Sequence, residues 1–182
     1  MGASWENVQR LMFWASILSG ATGYTYGANG IWQVNTRTKP FGPSPHGQSW
    51  GDTPWSEAYQ LPGSRQVSLG KDLLQRYPWW RFKPCPELVE PHWSKGDYFK
   101  PYASGIPKQV RIIYIPSPVH FLKVKGIEQG VAYRASYFDP RKGREYDLGT
   151  VIPNEEGEWQ PPRPKMIQDW VLVMEAKGQQ PC

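Results

Sequence analysis

The chain has 182 residues, room for one ordinary domain or two small ones. Hydrophobic residues make up 39% and aromatic residues 14%, ten of them tryptophan, which excludes a disordered chain; 19 prolines and 18 glycines exclude a mostly helical bundle. The net charge of +5 is scattered without a dense basic run, so nucleic acid is not an expected partner, and no run approaches the ~20 apolar residues that cross a bilayer.

At the amino terminus, MGASWENVQRLMFWASILSG has an apolar stretch too short and interrupted for an export signal, and Glu6 spoils the positive start such a signal needs. Val8, Leu11, Met12, Ala15 and Leu18 recur at helical spacing ahead of Gly20, which predicts a helix over residues 4–19. ATGYTYG, short, aromatic and bounded by glycines, reads as a buried strand. Residues 28–53 form a long loop containing TRTKPFGPSPHGQSWGDTP, a length that inside a compact domain is often functional. Pro54 suits the first position of a following helix. Pro62 and Gly63 interrupt it, and Val67, Leu73, Leu74 and Tyr77 resume an apolar face.

Composition shifts after Trp80. RFKPCPELVEPHW holds three prolines and reads as a connector, and every later segment looks like strand and turn. KQVRIIYIP alternates with Val110, Ile112 and Tyr114 on one side; HFLKVKG and VAYRASYFDP alternate too. DPRKG makes a hairpin turn ahead of EYDLG, and DWVLVMEA closes the series. The chain divides near residues 83–100 into an α/β piece, 1–82, and an all-β piece, 83–182, built as a small antiparallel sandwich. Tyr114, Phe121, Tyr137, Phe138 and Trp170 are expected in its core. Cys85 and Cys182 show no metal spacing, and their pairing is left open.

The first piece poses a packing problem. One strand between two helices leaves bare strand edges and uncovered apolar surface. The β-piece, a second copy, or sequence upstream must complete it, and upstream sequence is the most economical of the three.

RLMFWASILSGATGYTYGANGIWQ, followed by WSEAYQLPGSRQVSLGKDLLQRYPWW, resembles the end of the apiosidase-like glycoside hydrolase barrel. Arg10, Gly20, Ala21, Gly23, Thr25, Tyr26, Gly27 and Trp32 match that family's pattern in order. RIIYIPSP, ASYFDPRKGRE and QPPRPKMIQDWVLVMEA resemble the sandwich that follows the barrel, often labelled a collagen-binding domain. The resemblance implies the terminal segment of a (β/α)8 barrel followed by a small antiparallel β-sandwich. It also implies a carbohydrate ligand, action on side chains of pectic or other plant cell-wall polysaccharide, and an exported, periplasmic or extracellular location. The family's two catalytic carboxylates lie on barrel strands that would precede Met1, so an upstream barrel segment or a partner chain is expected. The alternative is a non-catalytic module whose sandwich binds polysaccharide or matrix protein.

The residues themselves offer no catalytic pair. Glycoside hydrolysis needs two carboxyl groups ~5 to 9.5 Å apart. Glu6 and Glu57 read as first-turn residues placed for the helix dipole, and Asp52 as a helix cap. Residues 19–33 contain neither GxxxxGK[ST] nor G-x-G-x-x-G, so no nucleotide cofactor is expected; His46 has no partner at ligand spacing, so no metal is expected. In a barrel the loop after a strand lies on the catalytic face. With GYTYG as the eighth strand, Trp32 offers a flat face for a sugar and Tyr26 a hydroxyl. Trp50 and Trp55, in and beside the long loop, are the candidates for outer subsites.

Overall fold

The computed structural model describes residues 5–40, 52–117 and 121–178. Three helices come first: α1 (Trp5–Leu18), α2 (Trp55–Ala58) and α3 (Pro62–Leu74). Eight strands follow: β1 (Lys83–Pro84), β2 (Val89–Glu90), β3 (Tyr102–Ile106), β4 (Val110–Ile115), β5 (Lys123–Val124), β6 (Tyr133–Asp139), β7 (Arg144–Thr150) and β8 (Trp170–Ala176). Six form one antiparallel sheet in the order β1-β3-β4-β8-β6-β7, and β2 pairs with β5 alone. The architecture is therefore mixed helix and antiparallel sheet. Opposite the six-stranded sheet lies a two-stranded ladder instead of a full second sheet.

Alternation along β4 sets the layers. Val110, Ile112 and Tyr114 join one buried cluster with Phe13, Trp14 and Leu18 of α1 and Leu73 of α3. Ile113 and Ile115 point the other way, into a cluster with Val89, Val124 and Leu172. One face of the sheet is thus covered by helices and the other by the short ladder. Of the three ways to complete the helical piece, the sheet supplies the first. The indole of Trp14 stacks on Tyr114 with ring centroids 5.9 Å apart, so the two parts share one apolar core.

Polar atoms lock that contact. Arg10 and Asp169 are only 2% and 7% exposed, and they meet in a bidentate pair. Arg10 Nε donates to Asp169 Oδ2 at 2.7 Å and Nη2 to Oδ1 at 2.8 Å. The same guanidinium donates to Gln66 Oε1 and Asn7 Oδ1, and the Tyr114 hydroxyl donates to Asp169 Oδ2 at 3.1 Å. Burial, helped by the Asp169 carboxylate beside it, pushes the Tyr114 hydroxyl well above its ordinary pKa.

Several local expectations change. ATGYTYG is not a buried strand: among the described residues nothing pairs with it, and Ala21, Thr22, Gly23 and Thr25 are exposed. A strand needs a neighbour to close its ladder, and periodicity cannot supply one. Pro62 opens α3 instead of interrupting a helix, its missing N–H costing nothing at that position. Pro54 is the cap of α2, with no side-chain capping bond, so Asp52 does not cap it. The connector contributes β1 and β2, and YASGI forms β3. Phe121, expected in the core, is exposed, whereas Tyr114, Tyr137, Phe138 and Trp170 are buried.

Candidate functional site

The amino-terminal ends of α1 and α3 meet the Tyr26–Asn29 segment around a cavity of about 420 Å³. Its walls include Trp5, Glu6 and Gln9 from α1, Tyr26 and Asn29 from the connecting segment, and Gly63 from α3. Gly63 has a local reason: a Cβ there would lie 3.2 Å from Gln9 Cγ and 3.4 Å from the Tyr26 ring. The bare backbone lets α3 approach both.

Gln9 is held in place. Its Nε2 donates to the Gly27 carbonyl at 2.9 Å, and its Oε1 accepts from the Tyr24 hydroxyl at 2.9 Å. Tyr26 donates to the Ala58 carbonyl at 3.4 Å, and burial raises its hydroxyl pKa while the Ser64 backbone opposes the shift. At neutral pH Tyr26 is therefore a neutral donor. Trp32 leans over Gly27, where a Cβ would come within 2.3 Å of the indole nitrogen, and it remains 73% exposed.

The sequence candidates separate. Tyr26 lines the cavity and Trp32 borders it. Trp55 stands apart, its ring stacked on Tyr59 with centroids 6.1 Å apart. Trp50 and His46 lie outside the described residues, as does Cys182. Cys85 has no disulfide partner among the described residues, and burial, helped by Glu87, raises its thiol pKa to about 11. Glu57 is paired with Arg37. Among the described residues, Glu6 is the one carboxylate lining the cavity, so these residues bring no pair of carboxyl groups together there.

Sequence reading missed Trp5 and Gln9. Trp5, 86% exposed, stands in the first turn of α1 on a stripe with Val8 and Met12, both exposed. This stripe is distinct from the buried face formed by Arg10, Phe13, Trp14 and Ile17. The signal was present: two apolar faces on one helix predict two contacts.

Among the described residues, no three His, Cys, Asp or Glu side chains gather as a metal site, and no helix is long and apolar enough to cross a membrane.

Two solved structures share the fold of this chain. A solved structure titled glycoside hydrolase superposes with a TM-score of 0.77 at 19% identity, covering 97% of this chain and 38% of its own. A glycoside hydrolase family 5 from Bacteroides vulgatus gives 0.77 at 17% identity, covering 99% and 38%. The chain thus spans well under half the length of either neighbour. Family models then specify the two parts. Residues 2–81 match "Apiosidase-like, catalytic domain", and residues 105–175 match "Putative collagen-binding domain of a collagenase". Each match spans under half of the chain, the first resemblance carried by Arg10 through Trp32 and the second by the later strands. No curated protein matches the chain.

Proposed function

We propose that this chain forms one sector of the catalytic face of a carbohydrate-active hydrolase, joined to an accessory sandwich. A single observation carries the reading. The amino-terminal ends of two helices and the end of the segment between them converge on one cavity bordered by exposed tryptophans. In a (β/α)8 barrel those ends lie on the catalytic face. Trp5 and Trp32 would stack on sugar rings, Tyr26 and Gln9 would hydrogen-bond hydroxyls, and the catalytic carboxylates would come from other βα units. The Trp5–Val8–Met12 stripe is the surface those units would cover, in the same polypeptide or on a partner chain. The unpaired Thr22–Ala28 segment would then gain strand neighbours.

Residues 1–82 and 83–182 correspond on this reading to barrel end and sandwich. The substrate class is a plant cell-wall polysaccharide, with apiose-bearing pectic side chains as the type the family resemblance implies, acted on outside the cytoplasm.

Titration of the intrinsic tryptophan fluorescence with neutral side-chain oligosaccharides tests this. Binding is expected without hydrolysis, weakened about threefold to tenfold by Trp32→Ala or Trp5→Ala, the worth of one stacked ring. Hydrolysis by the chain alone, or sugar binding indifferent to both substitutions, would refute it.

A further inference from the structure

Strain marks one residue of the turn that carries Trp32. Val34 takes φ 52°, in the left-handed region that a β-branched side chain enters only at a cost. Among the described non-glycine residues only Lys108 shares that sign, and lysine has no branch at Cβ.

The surrounding bonds impose the conformation. Val34 N donates to the Ile31 carbonyl at 3.2 Å, Asn35 N to the Gly30 carbonyl at 2.9 Å, and Trp55 N to the Asn35 carbonyl at 2.8 Å. Gly30 N donates to Gln33 Oε1 at 2.9 Å. Asn35, the residue after Val34, is fully buried. Gly30, at φ 96°, lies so close to Thr53 that a Cβ would fall 2.1 Å from its carbonyl oxygen. Thr53 lines the helical cavity, as do Gly27, Ala28 and Asn29. The turn is therefore fixed to the cavity wall both through the chain and across it.

Asparagine or glycine would hold position 34 without the steric penalty. Packing within the chain does little to offset it, because Val34 is 64% exposed. An over-determined, strained backbone that displays an apolar branch to solvent is a mark of function, and the branch has its use outside the chain. Trp32, two residues earlier on the same turn, is exposed as well.

We infer that Val34 is a ligand-contacting residue, its methyl groups against the apolar C–H face of the sugar ring next to the one stacked on Trp32. The inference rests on the carbohydrate reading of the helical cavity given above. It adds a selection rule. A carboxylate or hydroxyl set against those methyl groups would lose water without gaining a partner, so Val34 favours a neutral ring that offers its less hydroxylated face.

Melting curves and isothermal titration with a neutral apiose-bearing oligosaccharide, both on the full chain, test it. Val34→Asn tolerates the left-handed backbone and removes the branched apolar group. It is expected to raise the melting temperature by about 2–4 °C and to weaken the oligosaccharide about threefold to fivefold. Val34→Ile keeps the branch and the apolar surface and should leave both values unchanged. A valine that merely braced the turn would give the opposite first result, a lower melting temperature in Val34→Asn. Either that drop, or undiminished oligosaccharide binding by Val34→Asn, would overturn the inference. Binding that depends on Trp32 but not on Val34 sinks this inference alone. Absence of any binding by the unsubstituted chain sinks it together with the helical site.

Discussion

Arg10 directs its guanidinium donors to partners from three stretches of chain, and one of them, Asp169, lies 159 residues away. A buried pair of this kind is costly to break, because the surviving charge has no water to turn to. Asp169→Ala should therefore destabilise the fold by about 3–5 kcal/mol, read as a lowered urea midpoint. A loss below about 1 kcal/mol would mean that water reaches the guanidinium, contrary to its burial. Arg10 was visible in the sequence as a motif residue, but its partner was not. Nothing local to Gln168-Asp169-Trp170 announces an arginine far away in the chain. Tyr26 and Trp32 became candidates through the barrel resemblance, which sets them at a strand's end; in the structure Tyr26 lines the cavity and Trp32 packs over Gly27. Trp5 is legible only together with Val8 and Met12, as one member of a second apolar stripe; alone, an exposed aromatic residue in a first turn looks like any other surface position.

Strands were the legible elements. Alternation sufficed for β4, whose Val110, Ile112 and Tyr114 all face the helices, and DPRKG correctly marked the turn between β6 and β7, with Gly143 at φ 71°. β3 escaped because Tyr-Ala-Ser-Gly-Ile lacks the β-branched run that signals a strand, and its place is secured by partners on both sides. ATGYTYG misled for the converse reason: its composition suits a ladder, but pairing is a property of neighbours. Between α1 and α3 the decisive position is Gly70, where a Cβ would fall 2.4 Å from Phe13 Cε1 and 3.1 Å from Trp14 Cζ2. Alanine gains about 1 kcal/mol of helix propensity over glycine. Forcing a methyl group against two buried rings costs about 1–3 kcal/mol. The clash should win, so Gly70→Ala is expected to lower the melting temperature by a few degrees in calorimetry.

One core runs through the molecule as a whole, with Phe13, Trp14 and Leu18 packed among Tyr102, Ile112 and Val171. Helices and sheet should therefore melt together. Far-ultraviolet circular dichroism and tryptophan fluorescence are expected to trace coincident thermal transitions, and two separated transitions would show the helices docking as an independent unit. The flanks of the six-stranded sheet add a final constraint. One outer strand, β1, has two residues, the second a proline; the other, β7, turns Arg144, Glu145 and Asp147 to solvent. Neither margin invites another backbone to zip alongside, since one is brief and the other bristles with charge. Any larger assembly would then leave the sheet at six strands, in company as in isolation.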